Sequence, residues 1–516
     1  MNMEEKEAIK KDINSIKDED IGKRISIEGK VVREAPIEKP RIISLSDSSG
    51  TIDVISFKGA LDKARIDDYI KVEGIVKKKD DKVEINAISI EGLSDERKRK
   101  IEKRIADIKR KERKIKSIEF LIHSEKLEAM RTDLERCASE IKGAIYDGYP
   151  VLIRHHGDCD GYSAAMAIER ATLPLIEKRH KSKGAVIKYY RRAPSRTPYY
   201  DYSDATRDIT TINRDKDFVG GVGTLLIIVD MGSSEENILS LKKAKLYDCK
   251  IVVIDHHAST KEESEAIKGI ADVYINPHEY GFGSELCAGM LATEIAKLIN
   301  NKVEKVEMLP ALAGIGDRSD CDEMISYLEL AKADGYSEEY LRRLAAVIDF
   351  ETYHMRYIES REMTADLLGE DREKQDKIVE MIYDELEKKI EAITDSVINY
   401  LKRIERNGNK IGIVDILEVS ERGYPGAGLI VGRVLSKMEK DGYLCILGKT
   451  KDSVIFRISE KSNVRLGALI EILQTKFPFA MISGGGHDKA GTIRFLPIEQ
   501  ENIINAIVEE FFENES

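Results

Sequence analysis

Apolar and polar residues alternate along much of the first 95 positions, in RISIEGKVV (24–32), RIISLSDSSGTIDVISF (41–57), YIKVEGIVKKK (69–79) and KVEINAISIEG (82–92). A period of two is that of half-buried strands, and Ser-Ser-Gly at 48–50 splits the second stretch into two strands at a turn. KGALDKARIDD (58–68) reads instead as a short helix. From 96 to 145 the period lengthens. Ile101, Ile108, Ile115 and Ile122 recur every seven residues with Ile105 beside them, which predicts one apolar stripe on a long helix. Between 146 and 330 short continuous apolar runs take over: PVLIRHH (150–156), TLLIIVD (224–230) and KIVVIDHH (250–257). They alternate with helical stretches such as 161–172 and 234–246, the pattern of buried parallel strands joined by helices. Residues 331–408 read as helical up to Asn407-Gly408-Asn409, taken as a boundary. The rest mixes strands (KIGIVDILEV, GYLCILGKT, DSVIFRIS, TIRFLP) with the helix VRLGALIEILQTKF.

The expected fold class is therefore α/β, with a β-barrel in front and helical connectors. The expected divisions are a barrel over 1–95, a basic helical linker over 96–145, a parallel-sheet domain over 146–330, a helical connector over 331–408 and a smaller mixed α/β domain over 409–516. Five strands with a helix before the fourth follow the order of an OB-fold. Such barrels commonly bind single-stranded nucleic acid, although a structural barrel without ligand is the other reading.

Charge and composition narrow the partners. A formal net charge of −11 over 516 residues excludes a uniformly basic coat but leaves room for local patches. Segment 97–116 carries twelve Lys/Arg against three Asp/Glu, as a solvated helix face or a phosphate-facing strut. No apolar run is long enough to span a membrane, and MNMEEKEAIKKD lacks the apolar core of a secretory signal. Six scattered cysteines without a CxxC pair argue against a disulfide scaffold or a zinc-thiolate site and favour a reducing cytoplasm. Abundant Lys, Glu and Ile, three Gln and no Trp resemble the composition of thermophilic proteins.

Chemistry gathers at the ends of the apolar runs. The first ends His156-Gly157-Asp158-Cys159-Asp160-Gly161, the second at Asp230 and the third at Asp255-His256-His257. In an extended segment residues two apart share a side, so His156, Asp158 and Asp160 can converge while Cys159 points away. Ligands of open parallel sheets bind at the carboxyl ends of strands. Any one of these clusters alone is weak evidence, since a strand-end Asp commonly caps a helix. Three on successive strand ends, with Asp317 in LAGIGDRSD as a fourth, call for divalent cations to relieve the repulsion. Mixed imidazole and carboxylate ligands suit Mn²⁺, or Mg²⁺.

HGDCDG, Asp230, DHH at 255–257 and Asp317 resemble the four motifs of the DHH phosphoesterase superfamily, and Gly484-Gly485-Gly486-His487-Asp488-Lys489-Ala490-Gly491 resembles the GGGHxxAG signature of its associated C-terminal domain. Within the superfamily the chain is most similar to archaeal RecJ-like exonucleases, some of which carry an N-terminal OB-fold. The resemblance implies two cations per site, His156 and Asp158 on one, Asp160, His256 and Asp317 on the other, and Asp230 bridging. It implies further that Asp255 orients the metal-binding His, and that His257 contacts phosphate or helps protonate the leaving oxygen. His487 in a glycine-rich loop would bind substrate phosphate with Gly484, Gly485 and Gly486, and Arg457 is a weaker candidate for a clamp.

YYRRAPSRTPYYDY (189–202) interleaves five tyrosines with three arginines. It is either an exposed loop with a locally packed tyrosine cluster or a nucleic-acid contact, through Arg191, Arg192 and Tyr199. Ser284 in GFGSELCAGM lies near the site by resemblance, or caps the helix that follows. The leading expectation is a metal-dependent exonuclease on single-stranded DNA or RNA, most simply DNA in the 5′→3′ direction, with replisome proteins as further candidate partners. Its two lobes would face each other across a cleft, as in the family. A short-oligoribonucleotide or 3′→5′ RNA exonuclease of the same superfamily, and a non-catalytic scaffold at the replication fork, are the alternatives.

Overall fold

The N-terminal alternation closes a barrel. Strands β1 (Ile9–Lys10), β2 (Arg24–Glu34), β3 (Arg41–Ser46), β4 (Thr51–Ser56), β5 (Tyr69–Lys79) and β6 (Lys82–Gly92) run in the order β1-β2-β3-β4-β6-β5, with β5 returning to pair with β2. The β4–β6 pair is parallel, which is the closure of an OB-fold. Ile25, Ile27, Val31, Ile43, Leu45, Val54, Val72 and Ile85 fill the interior. Residues 58–68 form turns, where a helix was expected. Gly59 and Asp67 sit at φ of +80° and +74°, which interrupts any helical run, while Leu61 and Ala64 still pack into the barrel core.

This computed structural model describes residues 7–514 except 35–39, 48, 80–81, 181–183, 196, 216–222, 356–360 and 420–423. The chain forms two compact units, Met1–Leu341 with Tyr357–Leu368, and Arg342–Arg356 with Gly369–Ser516. No described helix is long and apolar enough to cross a membrane.

The long helix expected over 96–145 is two, α1 (Asp95–Arg113) and α2 (Glu125–Asp147). The heptad pattern runs on through 114–124, but tertiary bonding overrides it. The Leu121 N–H is captured by the buried Glu294 carboxylate at 2.9 Å, and Ser124 starts α2 by accepting from the Leu127 N–H. On α1, Arg104 and Arg113 pair with Asp12 and Asp147, and Lys100 pairs with Glu96.

The central sheet comprises β7 (Val151–His156), β8 (Tyr190–Ser195), β9 (Leu225–Val229), β10 (Lys250–Ile254) and β11 (Val273–Ile275), all parallel, in the order β11-β10-β9-β7-β8. Helices α3 (Cys159–His180), α4 (Ala185–Tyr189), α5 (Tyr202–Asp215), α6 (Glu235–Leu246), α7 (Lys261–Lys268), α8 (Ala288–Ile299) and α9 (Leu309–Asp317) complete the layer. Leu152, Leu226, Ile228, Ile251 and Val253 pack on Ala205, Leu241 and Ile267 of α5, α6 and α7. On the opposite face His155 meets Tyr162 of α3 edge-on at 4.5 Å. Helices α10 (Asp322–Ala333), α11 (Glu338–Met355), α12 (Arg361–Leu367) and α13 (Arg372–Tyr400) follow.

The second unit holds a mixed sheet, β12 (Lys402–Arg406), β13 (Asn409–Asp415), β14 (Tyr443–Lys449), β15 (Ser453–Ile458), β16 (Ser483–His487) and β17 (Ala490–Arg494), in the order β12-β13-β14-β15-β17-β16. Its other helices are α14 (Ile416–Val419), α15 (Ala427–Met438), α16 (Leu466–Lys476) and α17 (Gln500–Asn514), over a core that includes Leu447, Phe456, Leu469 and Phe511. Asn407-Gly408, read from sequence as a boundary, is the two-residue turn of the β12–β13 hairpin, both residues at positive φ.

Candidate metal centre

In a sheet ordered β11-β10-β9-β7-β8 the winding direction reverses between β7 and β9, and the crevice at that switch point is where doubly wound sheets bind ligands. His156 closes β7, Asp158 and Asp160 follow it, Asp230 follows β9, Asp255-His256-His257 follow β10, and Asp317 is the last residue of α9. The expected extended alternation of 156, 158 and 160 does not occur. The chain bends at 157–158 and α3 begins at Cys159, so Asp160 enters from the helix start. Cys159 faces away, its thiol 3.6 Å from the Leu312 carbonyl.

Three donor sets bring their ligand atoms within 4.8 Å of one another: His156, Asp158 and Asp230; Asp160, His256 and Asp317; and Asp230, His256 and His257. His156 Nδ1 lies 2.7 Å from Asp158 and 3.4 Å from Asp230. His256 Nε2 lies 3.2 Å from Asp230, 3.1 Å from Asp317 and 3.7 Å from Asp160.

The surrounding backbone aims these groups. Asp160 accepts the Ala288 and Gly289 N–H groups, at 3.0 and 2.6 Å, at the start of α8. Those N–H groups have no partner within their own helix, so they favour a negative charge there. A Cβ at Gly161 would sit 2.3 Å from the His156 carbonyl oxygen, so only glycine lets α3 start this close to β7. The Nδ1 of His256 lies 2.8 Å from the Ser284 carbonyl. A carbonyl only accepts, so Nδ1 carries a proton and Nε2 is the atom left to face the carboxylates.

Asp255 does not hold the His256 ring, contrary to the expectation from resemblance. Its Oδ1 receives His257 Nδ1 at 2.7 Å and the backbone N–H of His256 at 2.8 Å, so the ring it orients is that of His257. Ser284 is not the cap of α8, which begins after Cys287; its carbonyl acts on His256, and its hydroxyl meets His278 at 2.9 Å. Asn276, not singled out from sequence, donates to the His257 carbonyl and to Ser233. A lone asparagine after a strand carries no signal of that role.

The electrostatics are those of crowded carboxylates. Burial, then Asp230 and Asp317 alongside, push the Asp160 carboxyl well above its ordinary range. Burial raises Asp317 as well, against the pull of His256. Burial acts on Asp230 too, yet His156 and His256 outweigh it and hold this carboxyl well below its usual range. His156 Nδ1, Asp230 Oδ2 and Asp317 Oδ2 are buried and make no hydrogen bond. Buried polar atoms in that state are costly, and imidazole and carboxylate donors facing one another fit divalent cations.

Residues 150–316 match the N-terminal domain of the DHH family, a span that ends one residue before Asp317. A solved structure described as a member of the s1p family of ribosomal proteins, DHH domain, is 33% identical with a TM-score of 0.77, covering 81% of this chain and 99% of that one. The chain belongs to the DHH family. An uncharacterized protein of Methanocaldococcus jannaschii is 28% identical over 519 residues, which is 94% of this chain and 68% of that protein. RecJ from Thermus thermophilus, solved in complex with Mn²⁺, shares the fold at 14% identity and a TM-score of 0.53, over 74% of this chain and 55% of that one.

The remaining candidates of this DHH-family chain are not members of the three donor sets. In the tyrosine-arginine segment Tyr190–Ser195 form the edge strand β8, and 197–201 form a loop that leads into α5. Arg192 is buried, 3.2 Å from Glu169 and bonded to Thr364, and Tyr190 donates to Glu169 at 2.9 Å. Arg191 is exposed and paired with Asp215, Tyr199 is half-buried, and Arg196 lies outside the described residues. In the second unit Gly484, Gly485 and Gly486 run in β16, antiparallel to β17, rather than in a loop. The side-chain surroundings of Gly486 and His487 lie outside the described part. Arg457, on β15, is half-buried and donates to the Phe456 carbonyl at 2.8 Å.

Proposed function

We propose that this chain is a metal-dependent phosphodiesterase that removes nucleotides from single-stranded nucleic acid, most simply a 5′→3′ exonuclease on DNA. The observation that carries the reading is the position of Asp230, whose two carboxylate oxygens reach two separate donor sets at the switch point of the sheet. His156, Asp158 and Asp230 would hold one Mn²⁺ or Mg²⁺, and Asp160, His256, Asp317 and Asp230 a second. Such a pair supplies an activated water and charge neutralisation for in-line displacement at phosphorus.

The chain's own groups set the rest. The start of α8 fixes Asp160, and the Ser284 carbonyl sets the tautomer of His256. His257 is 25% exposed where His256 is fully buried, so it is the imidazole that substrate can reach. Anchored by Asp255, it contacts the phosphate or protonates the leaving oxygen. The barrel gives a long strand a second holding point. In the second unit the Cβ-free backbone of Gly484–Gly486, with His487 and Arg457, is the candidate contact for substrate phosphate. The RecJ of Thermus thermophilus that shares this fold was solved in complex with Mn²⁺, which supports that ion as the first to test.

The test uses single-stranded DNA and RNA labelled at either end, with Mn²⁺, Mg²⁺ or chelator. Metal-dependent release of mononucleotides from one end of a long strand is expected. Cleavage of dinucleotides alone would move the substrate to short oligonucleotides, and no cleavage with any metal would leave a binding or scaffold role.

A further inference from the structure

A cavity of about 430 Å³ opens along β8, and none of the cluster residues lines it. Five guanidinium groups do: Arg154, Arg191, Arg192, Arg207 and Arg361. They form two layers. Arg154 and Arg192 are buried and tethered, Arg154 to Asp208 and to the Pro194 carbonyl at 3.0 Å, Arg192 to Glu169 and Thr364. Arg191, Arg207 and Arg361 form the rim, their side chains 42%, 58% and 45% exposed. Each rim guanidinium holds a carboxylate, Asp215, Asp204 and Glu169 in turn. All three of those acids are shared, Asp204 with Arg154, Glu169 with Arg192 and Asp215 with Arg214, and together with Asp208 they are the four carboxylates that the five lining guanidinium groups hold.

A guanidinium has five N–H donors, and one carboxylate leaves part of the fork for an incoming anion. Planar forks along the wall of a cavity match the oxygens of a phosphate. Leu152, Ala193, Pro194 and the Tyr190 ring, 6.0 Å from the Arg361 guanidinium, line the same wall with apolar surface. The volume falls within the roughly 300–1,000 Å³ of small-molecule sites, more than a bare phosphate needs. Arg154 precedes His156 by two residues, about 7 Å along an extended strand, so the cavity flanks the metal centre.

We infer that this cavity binds a phosphate-bearing nucleotide, as a free molecule or as part of a strand. The choice of a nucleotide among phosphate esters rests on the function proposed above; the anion site does not.

The test is calorimetric titration of the metal-stripped full-length protein with inorganic phosphate, 5′-AMP and an oligothymidylate of about twelve nucleotides. No turnover is involved, so failure of the nuclease reading and failure of this one are separable. Wild type and Asp230→Ala are expected to bind alike. The double variant Arg207→Gln with Arg361→Gln is expected to bind about tenfold more weakly or worse, through loss of charge-assisted bonds. Loss of 5′-AMP binding in that variant identifies a free-nucleotide site, and loss confined to the oligonucleotide identifies a strand contact. The inference is overturned if no ligand binds wild type, if the double variant binds as wild type does, or if only Asp230→Ala loses affinity. Should the double variant melt well below wild type, Arg191→Gln, the third rim residue, carries the same test with the same outcomes.

Discussion

Asp230 and His256 meet at 3.2 Å, Oδ1 to Nε2, while the other oxygen of the same carboxylate lies 3.4 Å from His156 on the neighbouring strand. Asp230 sits at φ +57°, a left-handed conformation that aspartate tolerates better than most residues, with its N–H bonded to the Ile254 carbonyl at 2.9 Å. The turn that ends β9 thereby points one side chain into the crevice between strands, where it joins ligands from β7 and β10.

Replacing Asp230 by alanine should remove both donor sets at once. Wild-type protein is expected to gain thermal stability on addition of Mn²⁺, because a ligand that binds only the native state stabilises it. Asp230→Ala should show little or no such gain. Its hydrolytic rate should fall by more than the roughly 10–100-fold typical of losing an outer-shell partner. Calorimetry with Mn²⁺ and the end-labelled strand assay check the two halves, and an undiminished Mn²⁺ response would remove Asp230 from the centre.

Gly161→Ala tests the backbone that aims His156. The added methyl would lie 2.3 Å from the His156 carbonyl oxygen, a backbone atom that cannot swing aside. Overpacking of this kind costs about 1–3 kcal/mol. The expected result is a lower unfolding midpoint together with weaker Mn²⁺ binding, because relief of the clash displaces a ligand. Weakened stability with unchanged metal affinity would mean that the helix start yields and the strand end does not.

Much of this was legible in the sequence because the signals were local. The apolar runs ending in HGDCDG, Asp230 and DHH identified three parallel strands and the ends that carry chemistry. The pieces that escaped were set by contacts distant in the chain. The heptad of Ile101, Ile108, Ile115 and Ile122 contains nothing to announce that Glu294 captures the Leu121 N–H and breaks the helix. Likewise Asp255 looks like the partner of either following histidine. Only the fold brings the Ser284 carbonyl to His256 and leaves Asp255 to His257. The glycines at 484–486 read as a loop because glycine is common in loops, while sheet pairing made them a strand.

The pair Arg154–Asp208 should behave as a buried ion pair. Both side chains are almost wholly shielded, and the Tyr200 hydroxyl donates to Asp208 at 3.1 Å. Asp208→Asn leaves the Arg154 charge poorly compensated, and breaking a buried pair costs about 3–5 kcal/mol. Here Asp204, 3.5 Å from Arg154, should hold the loss near the lower figure. The double change Arg154→Met with Asp208→Leu is expected to recover much of the loss, since apolar replacements remove the desolvation cost of both groups. Urea unfolding of the double variant and of its two single components, Arg154→Met and Asp208→Leu, measures the coupling, and a double variant as unstable as the sum of its parts would refute it.

Glu294 gives a dependence on pH away from the metal cluster. Its carboxylate is fully buried on α8 and accepts the Leu121 N–H and the Tyr327 hydroxyl, at 2.9 and 2.8 Å. Burial outweighs these bonds and raises its pKa from 4.5 to about 7. The folded value lies above the unfolded one, so the stability this group contributes is complete below about pH 4.5 and is lost as pH rises through 7. The loss is on the order of 3 kcal/mol by the usual conversion. Glu294→Gln keeps an oxygen to accept both bonds but cannot ionise. The difference in unfolding free energy, variant minus wild type, should therefore move in favour of the variant between pH 5 and pH 8, by an amount approaching that figure. Urea titrations of both proteins at the two pH values measure it, with every other titrating group cancelling in the difference. A difference that stays constant across the interval would mean that Glu294 is ionised in the fold throughout.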